Sequence, residues 1–133
     1  MINGTRLIAC GLAVLASGCT TNRLPPPSGA DMYATHCVSC HGPSGEGDGP
    51  VSAVLSVSVP NLRTLTRRSG GQFPAATIAS YVDGRDLPVA HGDRFMPIWG
   101  AVFDATTALV PEAESAAVRV QAIVEYLREL QDP

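Results

Sequence analysis

The sequence predicts a small all-α domain. A length of 133 residues has room for one modest domain. Three stretches carry helix signals with recognisable starts or stops. No stretch keeps the alternating period of a strand. The nearest case, Val51 to Val59, alternates Val with Ser, but Pro50 and Pro60 bracket it so closely that it reads as a short helix or loop. Aromatic residues make up only 5% of the chain, as one Trp, three Tyr and three Phe, while thirteen Gly and eleven Pro interrupt it. A core this short of apolar bulk needs a staple: disulfides, a metal or a cofactor. The nine basic residues are all Arg and face twelve acids, for a net charge of -3. That lacks the basic excess needed to hold a phosphate backbone, so nucleic-acid binding is excluded.

In chain order, residues 1–18 read as a signal peptide. Arg6 supplies the positive start, Leu7 to Ala16 is an apolar run too short to span a bilayer as a helix, and small residues follow. Leu15-Ala16-Ser17-Gly18-Cys19 resembles a bacterial lipoprotein signal cut before Cys19, whose thiol receives the lipid. Residues 19–27 then form a tether. Pro25-Pro26-Pro27 favours extended polyproline geometry, with a reach of roughly 25 Å. The folded domain spans residues 28–133. Its first helix is capped by Ser28 and runs through Asp31, Met32 and Tyr33 to the cysteines. The second covers residues 74–83, with Pro74 at the first helical position, Ile78 and Val82 inward and Gly84 as the stop. The third runs from Pro111 to Leu130; Glu112 and Glu114 suit its N-terminal dipole, and Val120, Ile123, Leu127 and Leu130 repeat at three and four.

Cysteine spacing identifies the staple. Cys10 leaves with the signal and Cys19 is spent on lipid, so Cys37 and Cys40 remain, in Cys37-Val38-Ser39-Cys40-His41. C-x-x-C-H is the attachment motif of c-type haem. Two thiols one turn apart add to the two vinyl groups of one porphyrin, and the adjacent imidazole reaches the iron as proximal ligand. A structural zinc site needs four ligands and a second Cys pair is missing. A thioredoxin-like pair would want a preceding strand, and a plain disulfide leaves His41 without a role.

With these residues in view the chain resembles the class I c-type cytochromes of bacteria. The resemblance is carried by Tyr33 to Gly42, Gly45 to Pro50, Pro60-Asn61-Leu62 and Met96-Pro97-Ile98-Trp99-Gly100, and it covers about residues 28–131. It implies helices and loops wrapped around one covalent haem c, with Pro60 and Trp99 among the residues around the cofactor. It also implies that Tyr126 packs the last helix across the first near Tyr33. It gives the second His41 nitrogen a carbonyl partner in the Pro60-Asn61-Leu62 segment, with Pro50 as the other candidate. For the sixth ligand it points to Met96, on a loop about 55 residues beyond His41 whose conformation Pro97 restricts. His91 is the runner-up, an open site the third option; Met32 reads as core and His36 as a partly exposed helix residue.

Gly42 to Gly49 is no phosphate loop, since it lacks the Gly-Lys-Ser/Thr ending; its glycines are expected to let the backbone pass close to the porphyrin edge. Arg63, Arg67 and Arg68 form a small basic cluster, read as solvated surface or as a partner for haem propionates or for docking. The function expected is that of a periplasmic one-electron carrier, not an enzyme. It is a monomer, tethered through lipid on Cys19 to a bacterial membrane, the outer one favoured, and exchanges electrons with redox protein partners. A soluble periplasmic form is the alternative location. The competing readings are a tethered haem subunit of a larger oxidoreductase and a peroxidase or sensor with an open distal site.

Overall fold

The computed structural model describes residues 27–86, 95–109 and 114–133. The expected signal peptide, Cys19, His91 and the start of the last helix at Pro111 lie outside these. The described residues are helical and without strands: α1 (Gly29–His36), α2 (Val38–His41), a 3-10 turn (Ser52–Val54), a second (Leu62–Thr64), α3 (Leu65–Arg68), α4 (Ala75–Asp83), α5 (Trp99–Leu109) and α6 (Ala116–Glu129). The all-α expectation holds. Among the described residues no helix is long and apolar enough to cross a membrane.

Each end of α1 follows from its sequence. Ser28 Oγ accepts the Asp31 amide at 3.1 Å, and the Asp31 carboxylate accepts the Ser28 amide at 3.2 Å, a reciprocal capping box. Met32 and Tyr33 bury one face. The helix closes on Cys37, whose amide donates to the Tyr33 carbonyl, and α2 resumes at once with the Cys-His motif. The last helix is the centre of the fold. Ala116, Val120, Ile123, Val124 and Leu127 recur at helical spacing, and all are buried. At about 1.5–3 kcal/mol for each large apolar side chain, this stripe outweighs the ~1 kcal/mol of any single cap.

Three helices pack on α6. Crossing α1 requires Gly29, because a Cβ there would overlap the Ala122 carbonyl. Below that contact Tyr33 and Tyr126 meet with ring centroids 5.2 Å apart, where the resemblance puts them. α4 buries Val82 against the same core and α5 buries Phe103. Asp83 and Asp104 both pair with Arg85, which joins the end of α4 to α5.

Three expectations change. Pro74 stands before α4 as its N-cap, with φ -86° and ψ 62°, not at the first helical position, and the helix starts at Ala75. The last helix begins at Ala116, because Ser115 caps it by accepting the Val118 amide at 3.4 Å, leaving Glu114 before the cap. α5 was not expected at all. Its segment reads as loop because Trp99 and Phe103 are its main packing anchors and Ala and Thr fill much of the rest. The spacing of those two aromatics, one helical turn apart, was the available signal.

Candidate cofactor site

The bend between α1 and α2 puts Cys37, Cys40 and His41 on one wall. The Cys40 and His41 amides both donate to the Cys37 carbonyl, at 3.2 and 2.9 Å, winding the motif into a single turn. Both cysteines are free thiols, Cys37 buried and Cys40 partly so. Burial, and then the neighbouring Cys40, pushes the Cys37 thiol up to about 12, so it is uncharged at neutral pH.

Across from this turn runs the Pro60 segment. His41 Nδ1 lies 3.3 Å from the Pro60 carbonyl oxygen. A carbonyl can only accept, so Nδ1 carries the proton and Nε2 is left with its lone pair for a metal. Burial lowers the His41 pKa, and the bond to Pro60 opposes the shift. A neutral imidazole with one nitrogen engaged by a carbonyl is the form in which histidine ligates.

The segment is held in place by close backbone crossings. The Leu62 amide donates to Gly45 O at 2.7 Å, and Gly47 N donates to His41 O at 2.9 Å. Gly47 has φ +86°, and a Cβ on it would run into the Val59 carbonyl. Two glycines of the 42–49 loop also have a second role. They make room for other backbone, that of Val59 at Gly47 and of Ser39 and Cys40 at Gly49. Tyr33 Oη completes the frame by donating to Gly42 O at 2.8 Å.

Two adjoining cavities, of about 270 and 470 Å³, open from this wall. Cys37, His41, Pro60 and Met96 border both. The smaller is also lined by His36, Cys40, Val57, Val59, Phe95 and Trp99, and the larger by Leu62, Leu65, Arg68, Ile78, Tyr81 and Val82. Every described residue expected to contact a cofactor, namely Cys37, Cys40, His41, Pro60, Met96 and Trp99, borders one cavity or both. His36 does more than occupy a helix surface. Its ring lies 5.0 Å from Trp99 and 5.2 Å from Phe103, and Trp99 stacks on Phe103 at 5.9 Å. Burial first, and Arg119 second, lowers the His36 pKa.

The basic cluster divides. Arg63 pairs with Asp132, Arg67 is exposed, and Arg68 borders the larger cavity while its Nη2 donates to Asn61 O at 3.0 Å. Sequence spacing could not separate the three, because the difference depends on where α3 sits beside the cavity.

The residues fit a haem. Two thiols face an apolar slot, an imidazole offers Nε2, and a soft thioether stands on the same cavity boundary. Arg68 is the one cation among the described lining residues, available to a carboxylate. Among the described residues no group of three or more His, Cys, Asp or Glu gathers as it would around a zinc ion. No curated protein and no solved structure matches the chain. Residues 28–131 match the family model described as Cytochrome c. Members of that family bind haem c covalently and use it in electron transfer, and their domains are usually extracellular or periplasmic. On that match, with the C-x-x-C-H turn at the mouth of an apolar slot, the chain belongs to the cytochrome c family, as a class I c-type cytochrome.

Proposed function

We propose that the protein is a one-electron relay on the periplasmic side of a bacterial membrane, with its haem bonded to Cys37 and Cys40 and ligated by His41 and Met96. The observation that carries this reading is that Cys37, His41, Pro60 and Met96 together border both halves of one apolar slot. The bound haem supplies an iron that alternates between ferric and ferrous states. The chain's own residues tune it. His41 donates Nδ1–H to Pro60, which raises the basicity of the ligating nitrogen. The Met96 thioether is a soft donor that favours the ferrous state and a higher potential. The slot's lining is mostly apolar, and a low local dielectric strengthens both effects.

The absorption spectrum of the oxidised protein tests the ligation. The weak far-red band of methionine-to-iron charge transfer is expected in the wild type and absent in Met96→Ala; a wild type without it overturns Met96 as ligand. A lipid on Cys19 would confine the relay to a membrane surface, and Cys19→Ala should release it, so retention of that variant refutes the anchor. Phe95, Ile98 and Tyr81 remain 49%, 41% and 55% exposed, and Phe95 and Tyr81 border the slot. Such an apolar rim suits contact with redox protein partners. It also suits the second reading, a tethered haem subunit of a larger oxidoreductase, for which co-purification of a stoichiometric enzyme subunit is the test.

A further inference from the structure

The segment that carries the Pro60 carbonyl is fastened from the far end of α6. Gln131 Nε2 donates to Leu62 O at 2.8 Å and to Leu127 O at 2.7 Å, and its Oε1 accepts the Thr66 amide at 2.9 Å. Asp132 continues the attachment. Its amide donates to Arg63 O at 2.9 Å, and its carboxylate receives Arg63 Nε at 2.8 Å and Nη2 at 2.6 Å. On the opposite side Leu62 N is tied to Gly45 O. The 62–66 turn therefore has fixed points on both sides, beginning two residues after the carbonyl that meets His41.

A glutamine just past a helix end ordinarily caps that helix or faces solvent. Here one of three bonds, that to Leu127 O, serves α6, and the other two reach a turn more than sixty positions away in sequence. The Arg63–Asp132 pair is about one-third exposed on each side, so water and salt weaken it. The Gln131 bonds are part-buried and uncharged, and keep their strength.

We propose that Gln131, assisted by the Arg63–Asp132 pair, is a positioning residue that holds the Pro60 carbonyl against His41 Nδ1 and thereby sets the reduction potential of the iron. The inference rests on His41 ligation as proposed above. A well-placed carbonyl draws the Nδ1 proton and makes Nε2 a stronger donor, which stabilises ferric iron. Loosening the turn lengthens that bond, weakens the donor and raises the potential.

The test uses the holoprotein, with Gln131→Met, which keeps length and volume but loses the amide, and Gln131→Glu, which keeps an acceptor for Thr66 and loses the donor. At a fixed ambient potential, Gln131→Met should raise the ferrous-to-ferric ratio by ~3–10-fold, tenfold being 59 mV for one electron. Hydrogen exchange of His41 Nδ1–H in the ferrous protein, followed by NMR, should quicken in parallel. Gln131→Glu sets a carboxylate against the Leu62 and Leu127 carbonyls, so it should quicken that exchange as well, and the exchange readout serves alone if the Met variant does not fold. A cap of α6 and nothing more would lower the melting temperature and leave both readouts still; that result overturns the inference. If the wild type lacks an iron-bound imidazole with an exchangeable Nδ1 proton, the ligation reading itself falls, and the inference with it.

Discussion

Between Cys37 and Thr66 the chain repeatedly crosses its own backbone, whereas from Phe95 to Leu109 the contacts with other described residues run through side chains. In the first region Gly45 O meets Leu62 N, Gly47 N meets His41 O, and Gly49 N meets Cys40 O, at 2.7, 2.9 and 3.1 Å. Main-chain bonds of this kind leave little freedom to the imidazole they surround. In the second region the anchors are the His36–Trp99–Phe103 rings and the ion pairs of Arg85 with Asp83 and Asp104. Met96 sits in a bend beside the half-exposed Phe95. The two regions hold their candidate ligands differently: His41 sits within a main-chain frame, and Met96 beside an exposed ring.

The sharpest way to break this contrast is Gly47→Ala. The residue has φ +86° and its Cβ would strike the Val59 carbonyl, so strain and overlap together should cost ~2–4 kcal/mol. Denaturant unfolding of the holoprotein measures it; a loss under ~0.5 kcal/mol would mean that the crossing gives way easily. Next comes Tyr33→Phe, which removes the 2.8 Å bond to Gly42 O and leaves a buried carbonyl without that donor. A loss of ~1–2 kcal/mol is expected, with the far-red band unchanged because the lesion lies on the His41 side. The smallest effect belongs to the second region. The His36 pKa is held below its ordinary 6.5, so the unfolded chain takes up a proton at higher pH than the folded one. The His36 contribution is therefore complete above pH 6.5 and lost as pH falls through the folded-state value. His36→Phe should flatten that part of the stability profile; an unaltered slope would place its cause elsewhere.

Legibility in the sequence follows the same divide. Ser28 and Asp31, the Cys37-to-His41 motif and the apolar repeat of α6 are local signals, each completed within one or two helical turns, and each is where the sequence puts it. The Tyr33–Tyr126 crossing also agrees, through the resemblance. What stayed hidden depends on distant partners. The glycines of 42–49 oppose backbone atoms of Val59, Ser39 and Cys40. Arg68 differs from Arg67 only by which side of a short helix meets the cavity. Gln131 acts on residues 65 and 69 positions away. α5 escaped because two aromatics anchor it and most of its remaining positions carry no apolar period.

The burial of Cys37 bears on how well a bond made there would be protected. With 7% of its surface accessible, this side chain belongs to the core shared by α1 and α6 and also borders both cavities. A thioether at that position would be shielded from solvent by the same packing that joins the first and last helices.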